Sequence, residues 1–332
     1  MRKTTIVEML KNAGENFVSG ESIAGELGIS RTAVWKHIQA LRDSGYEILS
    51  RERRGYKLKD APDLLLPSEI QIGLDTEIVG KEMNYYPSVD STNRVAKKLA
   101  YHGAADGAIV VAEEQTGGKG RLDRKFFSPR GKGIWFSVIL RPKFLPKDAP
   151  KCTLMAAVAV AEAMTRFKLK AEIKWPNDIM HDGRKLVGIL TEMTGEIGKI
   201  TYLVIGVGIN VNISRDEFPE DLRGIATSLC EMNGGEELSR VYLLRAVLEE
   251  FDRLYREVMA SGFDKVLERW KKHNVTLGRE IRVISAGDGS YFTGKAIDLN
   301  HDGALVVETA DGLQTVYAGD VSIRQASSAA ND

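Results

Sequence analysis

The chain has 332 residues, with 46 Lys or Arg balanced by 46 Asp or Glu, 43% hydrophobic and 28% charged residues. That length exceeds one ordinary core and points to two or three domains, and the balanced charge confines any nucleic-acid contact to local basic patches. Two distant cysteines (Cys152 and Cys230), five scattered histidines and the lack of an apolar run near the ~18 residues of a membrane span argue against a disulfide scaffold, a zinc site and a membrane segment, so a cytoplasmic location is expected.

Residues 4–13 carry Ile6, Val7, Met9 and Leu10 at helical spacing and stop near Gly14. Ser19 or Glu21 opens a second short helix with Ile23, Ala24 and Leu27, ending at Gly28. Ser30 can cap a third, from Arg31 to Ser44, with Val34, Ile38 and Leu41 inward. A small residue and a turn glycine at this spacing let two helices cross closely, which predicts a helix-turn-helix. Tyr46 to Leu49 and Gly55 to Leu58 then read as two strands around Arg51-Glu52-Arg53-Arg54, a β-wing with a basic tip. Residues 31–59 hold eight Lys or Arg against three acids, an excess suited to phosphate contact. Arg31, Thr32, Trp35 and Lys36 would enter the major groove, with Arg53 and Arg54 on the wing. A winged helix used for protein contacts is the alternative. Two prolines bracket the apolar stretch Leu64-Leu65-Leu66, so residues 61–67 read as a linker.

Asp90-Ser91-Thr92-Asn93 precedes a helix marked by Val95, Ala96 and Leu99; these side chains can cap that helix or hold a ligand. The strand Ile109 to Ala112 runs into a glycine-rich basic loop. Between Gly117 and Lys132 stand six cations and one acid, Asp123, a density suited to a polyphosphate. The loop is not a Walker loop, because Gly120 stands where Ser or Thr is required after Gly-Lys, and Gly206-Val207-Gly208 lacks the third glycine of a dinucleotide fingerprint. Gly133 to Leu140 is a long apolar strand, and Thr153 to Phe167 a buried helix. Strands follow at Ala171 to Trp175, Val187 to Thr191 and Thr201 to Ile205, the last ending on Gly206-Val207-Gly208-Ile209-Asn210. This order fits a mixed sheet with helices on one side.

Lys174-Trp175-Pro176-Asn177-Asp178 and Arg184-Lys185-Leu186-Val187-Gly188 surround two turns, at Pro176-Asn177 and Asp182-Gly183. Lys185 falls at the mouth of the strand that begins just after it, where a cation can hold a phosphate beside a carboxylate; a solvated hairpin lysine is the alternative. Residues 212–227 form a long connection that reads as a ligand-ordered lid or an ordinary surface loop. Ser239 to Met259 and Gly262 to His273 are helices with core-facing stripes. Beyond Glu280 the pattern alternates, with Asp288-Gly289, Asp302-Gly303 and Asp311-Gly312 as hairpin turns, predicting a small SH3-like barrel.

Ser91-Thr92-Asn93, Gly118-Lys119-Gly120-Arg121 with Arg124, the Lys-Trp-Pro-Asn-Asp run, Arg184 to Gly188 and Gly206 to Asn210 together resemble the biotin protein ligases. With the winged helix in front, the chain is similar to the bifunctional bacterial form, which is also the biotin operon repressor. The resemblance implies an α+β multidomain chain: a winged helix-turn-helix (1–60), a linker (61–67), a central mixed α/β sheet ligase domain (68–274) and a C-terminal SH3-like β-barrel (275–325). It implies ATP, Mg2+ and biotin, formation of biotinyl-5′-AMP, and transfer of biotin to a lysine of biotin carboxyl carrier protein. It also implies a homodimer formed on adenylate binding and operator DNA as a partner, with no membrane.

By the same resemblance Lys185, Arg121 and Asp178 are catalytic. Lys185 contacts carboxylate and phosphate, Arg121 orders the adenylate, and Asp178 orients the incoming lysine or meets Mg2+; no other protein metal ligand is implied. Ser91, Thr92, Asn93, Gln115, Gly118, Lys119, Gly120, Arg121, Lys185, Gly188, Gly206 and Gly208 match the biotin positions. Arg121, Arg124, Phe126, Lys185, Asn177 and Asn210 match the ATP and adenylate positions. The family loop usually reads Gly-Arg-Gly-Arg; Lys119 here keeps the charge and loses the planar fork, so Arg121 is the stronger ligand candidate. A lipoate ligase of the same fold and a ligand-sensing repressor without catalysis are the competing readings.

Overall fold

The computed structural model describes residues 2–285, 290–317 and 321–325. The turn expected at Asp288-Gly289 and the frayed Ser/Ala-rich end beyond residue 325 lie outside them. Two compact units divide the chain, the first ending at Asp75 with Ser239–Tyr242 added, the second comprising the rest.

In the first unit, helices α1 (Arg2–Asn12), α2 (Gly20–Leu27) and α3 (Arg31–Arg42) precede strands β1 (Glu47–Arg51) and β2 (Gly55–Asp60) and a short helix α4 (Pro67–Ile70). The capping chemistry follows the sequence: Ser19 accepts from the amide of Ser22 at 2.9 Å, Gly28 closes α2 with φ 60°, and Ser30 accepts from the amide of Ala33 at 3.2 Å. Ile6, Leu10, Ile23, Val34, Ile38 and Leu41 form the core beneath the β1–β2 hairpin. Residues 61–67, expected to form a linker, and residues 68–75, expected to open the ligase domain, both belong to this unit. Leu65, Ser68 and Glu69 are buried, and the Tyr46 hydroxyl lies 2.9 Å from Ser68 Oγ and donates to Glu69 Oε1 at 2.8 Å. Burial pushes the Tyr46 phenol well above its ordinary value, which keeps it protonated as a donor.

The second unit holds a seven-stranded sheet. Its elements in chain order are β3 (Met83–Tyr86), α5 (Thr92–Tyr101), β4 (Ile109–Ala112), β5 (Gly133–Leu140), α6 (Ala149–Thr165), β6 (Glu172–Lys174), β7 (Asp178–His181), β8 (Arg184–Glu196) and β9 (Lys199–Asn210). The spatial order is β3-β4-β5-β9-β8-β7-β6, antiparallel except for the parallel β3–β4 pair. A short helix α7 (Leu229–Met232) and two longer ones, α8 (Arg240–Ser261) and α9 (Asp264–His273), follow. Strands β10 (Glu280–Ser285), β11 (Tyr291–Leu299), β12 (Leu305–Thr309), β13 (Gly312–Val316) and β14 (Val321–Gln325) then form an antiparallel sheet in the order β13-β12-β11-β10-β14.

Helices cover both faces of the central sheet, which corrects the expectation of one covered side. Register puts Gly188, Leu190 and Glu192 on one face with Gly208, Gly206 and Val204, and Val187, Ile189 and Thr191 on the other. Helix α5 lies over the first face, where Asn93 reaches Glu192 and Ala96 packs with Val204. Helix α6 lies over the second, where Thr153 bonds Thr191 at 2.8 Å. Fourteen of the 17 residues of α6 are buried, so it fills the layer between sheet and α9 instead of capping the surface. Cys152 lies in that layer as a free thiol, and burial raises its pKa far above the ordinary range, consistent with an inert core position. The C-terminal sheet belongs to the same unit: Trp175 Nε1 donates to Gly303 O at 3.0 Å.

Candidate functional site

The β6–β7 turn is built from Trp175, Pro176 and Asn177, with a cis Trp175–Pro176 bond. Thr276 Oγ1 accepts from the amide of Trp175 at 2.9 Å, anchoring the turn from behind. Asn177 is buried and locked to β8: its Nδ2 donates to Ile189 O at 2.9 Å, and the amide of Ile189 donates back to Asn177 O at 3.0 Å. Its remaining Oδ1 accepts from Arg121 Nη1 at 3.3 Å, which brings the basic loop onto this turn.

The β7–β8 hairpin closes on Asp182 and Gly183, both with positive φ (46° and 76°), as a two-residue turn of that sequence requires. Strand β8 begins at Arg184, so Lys185 is inside the strand, not just before it. The hairpin pairs His181 with Arg184 and Met180 with Lys185, and residues 225–227 pair on the other edge, the amide of Lys185 donating to Ile225 O at 2.7 Å and that of Thr227 to Lys185 O at 2.9 Å. With its backbone held on both sides, only the Lys185 side chain is free to move. Its Nζ sits 2.6 Å from Asp178 Oδ1, yet that oxygen receives no aligned hydrogen bond and is buried. The pair is an ion contact that a better-placed anion can break.

Three glycines make the floor. Gly188 of β8 pairs with Gly208 of β9, and Gly206 follows two residues earlier on the same face of β9, so a patch without Cβ atoms crosses two strands. The glycines of β9 are interior to the strand, where a strand end was expected. A Cβ at Gly208 would stand 2.5 Å from Phe126 Cε1, and one at Gly188 would stand 2.7 Å from Phe126 Cε2 and 3.2 Å from Lys185 Cε. Only hydrogen leaves room for the Phe126 ring and the Lys185 stem. The Trp135 ring meets Phe126 edge-on at 5.9 Å, and Lys185 Nζ lies 5.8 Å from the Phe126 centroid.

At the start of α5, Ser91 sits in the cap position without a side-chain capping bond, and Gln115 does the capping: its Oε1 accepts from Thr92 N at 2.9 Å and Thr92 Oγ1 at 3.0 Å. Gln115 Nε2 is in turn 3.1 Å from Ser128 Oγ. Ser137, fully buried, has its hydroxyl 2.8 Å from Thr92 Oγ1 and 2.6 Å from Asn93 Oδ1, and its single proton serves one at a time. Asn93 Nδ2 donates to Glu192 Oε2 at 2.9 Å. The Ser91 hydroxyl is thus left to the cavity, while Thr92 and Asn93 are oriented by neighbours.

Two cavities meet here. One of about 40 Å3 is lined by Ser91, Thr92, Asn93, Gln115, Lys119, Gly120, Gly188, Gly206 and Gly208, all from the expected biotin set, and by Ile189, Leu190 and Val207. The other, about 300 Å3, is lined by Arg121, Arg124, Asn177 and Asn210 from the expected adenylate set. Gly120, Phe126, Asn177 and Lys185 border both. Gly118 and Arg121, expected among the biotin residues, do not line the smaller cavity. A Cβ at Gly118 would stand 2.6 Å from Phe126 O, so its smallness lets the loop fold on itself, and Arg121 faces the larger space.

Among the described residues the larger lining carries five cations (Arg121, Arg124, Lys125, Lys174 and Lys185) and one acid, Asp178. Sequence reasoning missed its apolar wall, Trp175, Phe127, Phe218, Leu222, Ile225 and Ala226, and the buried Ser137 behind the smaller cavity. Ser137 had a signal, a hydroxyl within the apolar run of β5; Phe218 and Leu222 had one only in lying within a long connection that could be a lid. That loop covers the site through Phe218, buried among Trp135, Ile213 and Ala226. Among the described residues no cluster of three His, Cys, Asp or Glu could hold a metal, and no helix is long and apolar enough to cross a membrane.

In the first unit, Arg31, Thr32, Trp35 and Lys36 are exposed on the first turns of α3, and Arg53 and Arg54 on the wing. These six face solvent from a helix-turn-helix of the expected order.

Comparison with known proteins matches the model of the biotin/lipoate A/B protein ligase family over residues 85–210, an HTH domain over 2–57 and the biotin protein ligase C-terminal domain over 276–324. The bifunctional ligase/repressor BirA of Bacillus subtilis is 40% identical over 319 residues, covering 96% of this chain and 97% of its own length. The chain belongs to the bifunctional biotin ligase/repressor family. The Escherichia coli member is 33% identical over 322 residues, covering 97% of both chains. Among solved structures, the biotin protein ligase of Aquifex aeolicus in complex with biotin and ATP aligns with TM-score 0.65 and 28% identity, over 74% of this chain and 100% of its own. The family's three-part order accounts for the helix-turn-helix, the mixed sheet and the C-terminal antiparallel strands described above.

Proposed function

We propose that this chain joins biotin to ATP, releasing pyrophosphate and forming biotinyl-5′-AMP, and then passes biotin to a lysine of biotin carboxyl carrier protein, AMP leaving. The same chain acts as a biotin-responsive repressor through its helix-turn-helix. The observation that carries the ligase reading is the shared border of the two cavities, where Lys185 lines both. A carboxylate and a triphosphate repel each other, and preorganised cations around their meeting point lower that cost most in a site screened from water.

In this reading the smaller cavity takes the biotin ring, offered the Ser91 hydroxyl and the Thr92 and Gln115 polar groups. Its about 40 Å3 falls far below the ~300 Å3 of an ordinary ligand pocket. The Phe126 ring therefore lifts off Gly188 and Gly208 as biotin enters. Arg121, steered by Asn177, and Arg124 hold the phosphates, and Asn210 and the Phe218–Ala226 wall border the nucleotide. Lys185 leaves Asp178 for the carboxylate and α-phosphate. That move frees the Asp178 carboxylate, in the second half-reaction, to accept a proton from the carrier lysine as its nitrogen attacks the acyl carbon. Asp178, the one acid of the lining among the described residues, would meet the Mg2+ that accompanies ATP, an ion that would offset phosphate charge.

Incubating a carrier domain with the chain, biotin, ATP and Mg2+ tests this reading by mass spectrometry. One biotinyl addition per carrier is expected, with lipoate failing to compete. Addition of lipoate in preference to biotin would replace the substrate, and no addition of either would leave a sensing repressor.

A further inference from the structure

We infer that Phe17 is a stacking platform that pre-orients two wing arginines, Arg51 and Arg54, for contact with the phosphates of duplex DNA; the inference rests on the DNA-binding reading of the first unit. Phe17 precedes α2, and its neighbour Val18 is tied to the wing by paired backbone bonds: Val18 N to Tyr56 O and Tyr56 N to Val18 O, both 2.8 Å. The approach is so close that a Cβ at Gly55 would lie 2.0 Å from Val18 O, and Gly55 has φ 100°. The wing and the segment carrying Phe17 are therefore held together by backbone.

On that frame the guanidinium carbons of Arg51 and Arg54 lie 5.1 and 5.3 Å from the Phe17 ring centroid. Both distances fall within the range of cation–π attraction. The ring is half-buried and is not among the residues that form or pad the helical core. Core packing thus does not account for it.

The other basic residues of this face sharpen the assignment. Arg42 is spent on Ile48 O and Ser50 Oγ, Lys57 pairs with Glu15, and Lys59 with Glu47 at 2.7 Å. Arg51 and Arg54 form no ion pair among the described residues, and both are exposed. Two long unpaired cations would ordinarily lose side-chain freedom on meeting a phosphate. Stacking on one ring removes part of that loss beforehand, and guanidinium planes stack on aromatics while leaving their N–H edges for phosphate oxygens.

The test uses the full chain, a labelled mixed-sequence duplex and fluorescence anisotropy over a salt series. Each phosphate neutralised contributes about −0.9 to the slope of log K against log salt. Phe17→Leu, which keeps apolar bulk without a ring face, is expected to weaken binding roughly three- to tenfold and to flatten the slope by roughly one to two phosphates. Phe17→Tyr is expected to restore both. Equal affinity and slope in the parent and Phe17→Leu would overturn the inference alone, as would a Phe17→Tyr chain as weak as Phe17→Leu. A parent that binds the duplex without salt dependence would remove the DNA-binding reading and this inference together.

Discussion

Lys185 is held by backbone on both sides and by an ion contact to Asp178 that lacks hydrogen-bond alignment. A cation so placed is anchored at its root and loose at its tip, as a group that must follow charge through a reaction requires. Lys185→Ala should remove about 3 to 4 kcal/mol of transition-state stabilisation, by analogy with losing one preorganised donor. Single-turnover adenylate formation measures it, and a rate within a few-fold of the parent would exclude Lys185 as the key group. Gly208 bears on the other substrate. A methyl group there would crowd Phe126 at 2.5 Å from a backbone that neighbouring strands hold on both edges. Once Phe126 has lifted, the same methyl group would stand in the smaller cavity that Gly208 lines, and overpacking there costs about 1 to 3 kcal/mol, so Gly208→Ala should weaken biotin binding by about fivefold or more in a calorimetric titration. The identities of these residues were legible in the chain, but their contacts were not. Nothing in the spacing of Gly188, Gly208 and Phe126 along the sequence states that both glycines lie against the Phe126 ring.

Among the elements, the segment 212–227 is the one whose two sequence readings the packing separates. Read as a ligand-ordered lid or an ordinary surface loop, it lines the larger cavity with Phe218, Leu222, Ile225 and Ala226 and adds backbone pairs to Lys185. Glu217 helps hold its start: its carboxylate accepts from the Ser214 amide at 2.8 Å and lies 3.0 Å from Lys132 Nζ. Burial opposes ionisation, but the Ser214 amide and the Lys132 charge outweigh it and lower the Glu217 pKa below its ordinary 4.5. A pKa lowered in the folded form contributes stability that is present above the unfolded value and lost as pH falls through the folded one. Amide hydrogen exchange in residues 212–227 should therefore rise as pH drops below 4.5, once corrected for intrinsic rates. Glu217→Gln should exchange faster at neutral pH and lose most of that acid dependence; an unaltered profile would show that the carboxylate does not hold the segment.

For the whole molecule, a ligase and a DNA reader in one chain are coupled only as far as a ligand binds one global state more tightly than another. We propose that the adenylate orders residues 117–132 and 212–227, aligns the sheet edges of two protomers, and sets two winged helices on a palindromic site. Sedimentation velocity should then show a monomer shifting to a dimer when biotin and ATP are added, with tighter DNA binding in parallel. An unchanged monomer with unchanged DNA affinity would break that link while leaving the ligase chemistry untouched.

Helix starts at Ser19 and Ser30, the Asp182-Gly183 turn and the order of the three regions were determined by sequence alone, because caps, turns and patterning act between residues a few positions apart. The packing of α5 and α6 on opposite faces, the glycine floor under Phe126, the Gln115 cap on Thr92 and the built-in segment after Asp60 were decided only in three dimensions. Register across three strands and the burial of side chains from distant loops depend on which surfaces exclude water together, and no local spacing encodes that partner.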